Sequence, residues 1–316
     1  MTVVLIVLAA CAACLGALAL FTARTVRKVE ILVPPAGRFV DVPGARLHVV
    51  ERGQGPAILM VHGLAGQLGH YTYALVDLLA PQFRVVALDR PGSGYSERAP
   101  GSAATLSVQA DVLIALLDQL GLQRPLVVGH SLGGALALAL AQRHPERVAG
   151  LVLLAPLTQL IPGVPPVFRA LTISRPWLQQ LVARTLAVPL TIAGRVPAMK
   201  VIFGPDAMPG DYGVRGGGLL ALRPSHFVAA CADLTAIPQD LPGVMGRYAS
   251  MKTPVRVLYG RGDRVLDPQV HGAGLVAQLP GARLTLIDGG HMLPVTTPAA
   301  CADFIRAAAR EFGAQS

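Results

Sequence analysis

Charge is scarce in this chain: Asp, Glu, Lys and Arg make up 14% of its 316 residues, and aromatic residues only 5%, with Trp177 the single tryptophan. The basic excess, a formal net charge of +9, is dispersed, and no stretch interleaves basic with aromatic side chains. Neither a phosphate-backbone footprint nor a base-stacking platform is present, which argues against a nucleic-acid partner. Cysteine is sparse as well. Cys11 and Cys14 lie in the N-terminal apolar run, and Cys231 and Cys301 stand far apart, so neither a disulfide framework nor a metal-ligand spacing follows. The glycine-rich stretches around residues 92–94 and 216–218 carry no G-x-G-x-x-G between a strand and a helix. No phosphate or dinucleotide loop is therefore expected, and we expect no cofactor and no metal.

Hydrophobic residues are 53% of the chain, yet only one run is long enough to cross a membrane. Residues 3–21 are nineteen positions without a charge, which as a helix would be roughly 28 Å long and just span a bilayer core. A cleaved signal peptide is the competing reading. Against it, the chain begins Met1-Thr2 with no basic n-region, and the run exceeds the usual signal length. Leu8-Ala9-Ala10-Cys11 resembles a lipoprotein processing box, but ten more apolar residues follow Cys11 where a polar linker would begin. Residues 1–28 are expected to be a membrane anchor with a juxtamembrane basic segment that adds nothing to the core. Arg24, Arg27 and Lys28 flank the span on its C-terminal side, which places the bulk of the chain in the cytoplasm. Cleavage would instead release it to the periplasm or the exterior.

From residue 30 the pattern becomes that of a parallel sheet. Residues 39–42 and 46–50 read as a hairpin around Pro43-Gly44, residues 57–61 and 83–88 as buried strands, and residues 126–128, 148–154, 255–259 and 283–287 as further strands. Helical stretches at residues 105–120, 135–141 and 298–312 alternate with them, as right-handed crossovers require. Between Leu154 and Val255 this rhythm breaks into Pro, Gly, Leu and Arg with helical patches, which marks an inserted cap. The expected division is 29–156 and 251–316 for the core, with 157–250 as cap and return segment.

One turn organises the rest. Gly129-His130-Ser131-Leu132-Gly133 joins an apolar strand to a small-residue helix, a G-x-S-x-G pattern in strand–turn–helix context. The two glycines permit a sharp bend that presents the Ser131 hydroxyl at its tip. The following helix aims its positive dipole end at charge developing on a carbonyl oxygen.

The ordered set His62-Gly63, residues 89–96 (Asp-Arg-Pro-Gly-Ser-Gly-Tyr-Ser), residues 129–134, Gly260-Arg261-Gly262-Asp263 and Gly290-His291 resembles the α/β-hydrolase superfamily over residues 38–314 apart from the cap. The resemblance implies an α/β fold, an eight-stranded, mostly parallel sheet with helices on both faces and a helical lid. Within the superfamily the chain is similar to membrane-anchored monoacylglycerol lipase-like and esterase-like members.

A serine hydroxyl needs a base to take its proton. The resemblance puts that base at His291, whereas His48, His144 and His271 fit structural roles. The imidazole needs a carboxylate to fix its tautomer. Asp263 lies between Ser131 and His291 in the order this superfamily requires. Asp267 is the alternative acid, with a helix cap near Pro268 as its plainer role. Ala155-Pro156-Leu157 offers no carboxylate after the preceding strand. The oxyanion donors are expected to be the Leu132 N–H and the Leu64 N–H, with Ala65 as fallback. His62 and His130 read as loop and elbow packing, and Asp89 and Arg90 as ties between loops.

An aspartate at the elbow would indicate dehalogenase or epoxide chemistry, and Ser131 points instead to acyl transfer. The expected reaction is hydrolysis of a small-molecule ester or lipid with a lipophilic acyl chain through an acyl-enzyme. Thioesterases, perhydrolases and carbon–carbon bond hydrolases share the triad, and a non-catalytic interaction protein on this fold would ordinarily lack part of it. Phe168, Trp177 and Met292 are the candidate substrate contacts. Oligomeric state has no signature in the sequence. The cap segment 157–224 carries Arg169, Arg175, Arg184, Arg195, Lys200, Arg215 and Arg223 against Asp206 and Asp211, a local charge of +5. An anchor would hold this basic lid near a bilayer, where anionic headgroups attract it.

Overall fold

A computed structural model describes residues 1–313. In chain order the elements are α1 (Thr2–Leu32), β1 (Arg38–Val42), β2 (Ala45–Arg52), β3 (Ala57–Val61), α2 (Gly69–Thr72), α3 (Leu75–Leu79), β4 (Arg84–Leu88), β5 (Glu97–Arg98), α4 (Leu106–Gln119), β6 (Leu126–His130), α5 (Leu132–Arg143) and β7 (Gly150–Leu154). The segment before the next strand holds a 3-10 turn at Pro166–Leu171, α6 (Pro176–Arg184), α7 (Ala187–Phe203), a second 3-10 turn at Gly218–Leu222 and α8 (Pro224–Met245). The chain closes with β8 (Val255–Gly260), α9 (Gly274–Val276), β9 (Arg283–Ile287), α10 (Leu293–Thr296) and α11 (Pro298–Glu311).

The strands form one sheet in the order β1-β2-β4-β3-β6-β7-β8-β9, antiparallel at β1–β2 and β2–β4 and parallel thereafter. Eight strands lie on this path as expected. A ninth, the two-residue β5, pairs with β2 and was not anticipated. The central strands read as unbroken apolar runs because both their faces are covered. Leu59 and Val61 of β3 face the layer containing α4 and α5, while Ile58 and Met60 face the layer of α3 and α11. Period-two alternation thus feeds two cores from one strand.

Small residues let α5 approach the sheet closely. A Cβ on Gly133 would lie 2.0 Å from the Val61 carbonyl oxygen, and one on Gly129 would lie 2.4 Å from the Gly133 oxygen. Only glycine fits at either end of the turn.

The segment between β7 and β8 is helical throughout its regular elements. Its last helix, α8, is tied to the core by two carboxylates. Asp240 accepts from the Ser107 N–H (2.7 Å) and the Ser107 hydroxyl (3.0 Å) at the start of α4. Asp233 accepts from Arg98 at 2.7 Å.

The N-terminal helix differs from expectation. It continues to Leu32, and its last third is docked on the folded body rather than idle. Thr22 and Val29 are buried, the Thr22 hydroxyl donates to the Thr185 carbonyl (3.4 Å), Glu30 pairs with Arg223 (2.9 Å), and the Tyr95 hydroxyl donates to the Val33 carbonyl. Residues 1–17, by contrast, are exposed on every side.

Candidate active site

The residues singled out by the sequence gather at the C-terminal edge of the parallel strands, where sites of such sheets collect. Ser131 sits between β6 and α5 with φ 54° and ψ −121°. A left-handed φ at a non-glycine residue costs on the order of 1–3 kcal/mol and persists only when surrounding contacts enforce it. Here the Ser131 N–H donates to the Leu154 carbonyl (3.1 Å), and its own carbonyl accepts from Gly134 and Leu157 (both 2.9 Å).

The loop after β3 faces this turn at close range, since a Cβ on Gly63 would come within 2.7 Å of the Ser131 Cβ. Among the described residues, neither the Leu64 nor the Leu132 N–H donates to a protein acceptor. Leu132 opens α5, so its donor has no partner one turn earlier. The β3 loop is braced by His62, which donates from Nδ1 to the Gly63 carbonyl (2.8 Å) and accepts the Arg90 N–H at Nε2 (2.9 Å). The buried Arg90 guanidinium donates to the carbonyls of His62 and Gly63, both at 3.0 Å, and to Gln109 at 2.9 Å. Asp89 accepts the Leu68 N–H (2.7 Å), the Tyr95 N–H (2.9 Å) and the His48 imidazole (2.8 Å). The expected loop-tying roles of His62, Asp89 and Arg90 match these contacts.

Asp263 and His291 meet across the ends of β8 and β9. His291 Nδ1 lies 2.7 Å from Asp263 Oδ2, and both side chains are buried. The other oxygen, Oδ1, accepts the N–H groups of Val265 (2.8 Å) and Leu266 (2.9 Å). An acceptor-only carboxylate requires Nδ1 to carry the proton, which leaves Nε2 with a free lone pair. Asp267 instead accepts the Gln269 N–H at 2.8 Å and caps the turn at Pro268–Ala273, its plainer role.

His130 links this pair to the turn. Its Nε2 donates to the His291 carbonyl (2.9 Å), and the two rings lie 4.9 Å apart. Among the described residues Ser131 and His291 share no direct hydrogen bond; such contacts are commonly loose before substrate binds. Burial holds the His62 and His130 imidazoles well below the ordinary histidine range and presses His70 down to about 3. The His70 and His130 imidazoles near His291 are therefore uncharged at neutral pH.

The expected substrate contacts divide. Met292 is buried with Phe203, Tyr212 and Val295, and Phe168 is half-buried against the core. Trp177 is 62% exposed. The reason is helical phase: α6 turns Gln179 and Ala183 inward, so Trp177 and Leu181 face out.

Two ties escaped sequence reasoning. Asp206, just past α7, accepts the Gly290 N–H at 2.9 Å, next to His291, and the Tyr212 hydroxyl lies 2.9 Å from His70 Nε2. Neither has a local signal, because the partners are 84 and 142 residues apart.

Residues 56–192 match the family model described as alpha/beta hydrolase fold. The chain is 39% identical over 268 residues to the dihydrolipoyllysine-residue acetyltransferase component of the acetoin cleaving system of Cupriavidus necator, covering 81% of this chain and 64% of that protein. It is 30% identical over 263 residues to the magnesium-chelatase 30 kDa subunit of Rhodobacter capsulatus, covering 78% and 84%. A thermophilic esterase from Thermogutta terrifontis superposes with a TM-score of 0.72 at 23% identity, over 87% of this chain and 99% of that one. A bacterial membrane phospholipase A superposes with a TM-score of 0.69 at 21% identity, over 98% and 97%. With its sheet order, its elbow and its relatives in agreement, the chain belongs to the α/β-hydrolase superfamily.

Proposed function

We propose that the protein is a serine hydrolase acting on carboxylic esters with lipophilic acyl chains, held at a membrane by α1. The observation that carries the reading is the buried Asp263–His291 pair, 2.7 Å apart, beside a strained Ser131 turn. In this mechanism the Ser131 hydroxyl attacks the ester carbonyl while His291 Nε2 takes its proton. Asp263 holds the Nδ1–H tautomer and stabilises the imidazolium that forms. The negative charge on the carbonyl oxygen is met by the Leu132 and Leu64 N–H groups, each such donor being worth roughly 100- to 1,000-fold in turnover. The tetrahedral adduct collapses, His291 returns the proton to the departing alcohol, and a water activated by the same imidazole releases the acid.

Met292 and Phe168 are the proposed acyl contacts. The cap is residues 157–250, set between core segments 29–156 and 251–316. Support for the anchor comes from residues 1–17, whose apolar side chains are exposed on every side. Arg24, Arg27 and Lys28 favour a cytoplasmic catalytic domain. A panel of p-nitrophenyl esters and monoacylglycerols of graded length tests substrate class, and medium or long chains are expected to exceed acetate. Preference for acetyl esters would refute the lipophilic reading.

A further inference from the structure

One stretch of the cap is folded as though water were not its solvent. Residues 190–197 of α7 are exposed without interruption for more than two turns. They read Leu-Thr-Ile-Ala-Gly-Arg-Val-Pro, with Leu190 62% and Val196 58% exposed. A surface helix in water buries one apolar stripe and shows a polar face; a helix apolar all round belongs in a core or in lipid. This one lies in no core. Trp177 and Leu181 of α6 and Leu186 at the bend extend the same exposed apolar surface.

Two further observations say what covers it. The first is position. The apolar part of α1 separates from the body at Thr22, whose hydroxyl contacts the Thr185 carbonyl at the junction of α6 and α7. If residues 3–21 lie in the bilayer, the α6–α7 elbow is at the membrane boundary. The second is charge. From residue 147 to residue 205 there is no Asp or Glu, while Arg169, Arg175, Arg184, Arg195 and Lys200 all lie within that stretch. Such a surface complements anionic headgroups, and long basic side chains can reach them while the helix stays in the apolar layer.

We propose that the α6–α7 elbow is seated in one leaflet of an anionic bilayer beside α1, and that α7 conducts acyl chains from that leaflet to the site. This rests on the reading of α1 as a retained membrane span. The 75° bend between α6 and α7 suits an interfacial wedge rather than a second crossing. From Leu190 the helix runs roughly 20 Å to Phe203, which packs with Met292 next to His291. One helix therefore touches lipid at its first half and the site at its end.

The single tryptophan makes the test direct. The full-length protein is reconstituted into vesicles of phosphatidylcholine with phosphatidylglycerol. Trp177 emission is expected to shift to the blue, to be quenched by acyl-brominated lipid and to be shielded from acrylamide. In addition, the Leu190→Glu/Ile192→Glu variant should hydrolyse a vesicle-borne monoacylglycerol at least ten-fold more slowly, with a detergent-phase short-chain p-nitrophenyl ester hydrolysed at the wild-type rate. If the protein stays embedded through alkaline carbonate washing while Trp177 remains open to acrylamide and blind to brominated lipid, the seated elbow is overturned and the anchor stands. If carbonate releases the protein, the anchor falls and this inference with it. An equal loss on both substrates, or on neither, overturns the acyl route.

Discussion

Arg90 and Asp233 meet at 2.8 Å with neither side chain exposed, joining the turn after β4 to α8. The contact is ionic rather than an aligned hydrogen bond: Asp233 Oδ2 accepts no hydrogen bond among the described residues, while Oδ1 accepts from Arg98. The pair thus sets α8 against the loop that carries Leu64.

Breaking a buried pair by removing one partner strands the other charge and typically costs about 3–5 kcal/mol. Asp233→Asn is expected to lose stability of that order in urea unfolding and to lower turnover by loosening the His62–Gly63 loop. The double variant Arg90→Met/Asp233→Leu should not regain the stability, because it also leaves the His62 and Gly63 carbonyls and Gln109 without the donor they share. Wild-type stability in Asp233→Asn would contradict this account of the cap.

The two nearby carboxylates should separate cleanly. Asp263→Asn removes the acceptor that fixes the His291 tautomer, and kcat is expected to fall by about 1,000- to 10,000-fold. Asp267→Asn disturbs one cap bond, a loss of about 1 kcal/mol or less, with activity within a few-fold of wild type. Steady-state kinetics on a soluble ester distinguishes them, and the reverse order would transfer the acid role to Asp267.

Acid should weaken the fold through its buried imidazoles. Burial pushes His70 to about 3 and His271 to about 4, whereas in the unfolded chain both titrate near 6.5. Below about 6.5 the unfolded state binds protons that the folded state refuses, so stability is full above that pH and falls towards 4. Each histidine contributes up to about 1.4 kcal/mol per pH unit in that window. Thermal midpoints measured at pH 7, 6 and 5 should decline, and His271→Gln should flatten the decline. A midpoint that rose on acidification would refute it.

Much of the architecture was legible before any coordinates. Strand β3 falls where its apolar run begins and ends, because a strand covered on both faces leaves no polar position to blur its limits. The turn at Ser131 and the Asp267 cap were readable because each acts over a few residues. Arg90 with Asp233 and Asp206 with Gly290 were not, since nothing local marks a partner more than 80 residues away. Trp177 was misjudged for a different reason. An apolar stripe marks the buried face of a helix in water, and α6 buries Gln179 and Ala183 instead.

The docked end of α1 changes where the apolar N-terminal run should be cut away. A chain beginning at Thr22 keeps the contacts of Thr22, Val29 and Glu30 and is expected to fold and to hydrolyse a soluble ester. One beginning after Val33 also loses the Glu30–Arg223 and Val33–Tyr95 contacts and should unfold at a lower temperature. Equal melting of the two would show that the docking contributes nothing.

The most direct test of the proposed chemistry is covalent labelling by a fluorophosphonate probe, which reacts with an activated serine and leaves an adduct readable by mass spectrometry. Wild type should be modified on the peptide containing Ser131, with Ser131→Ala unlabelled and His291→Ala slowed by several orders of magnitude; equal labelling of wild type and Ser131→Ala would contradict the assignment of Ser131 as the nucleophile.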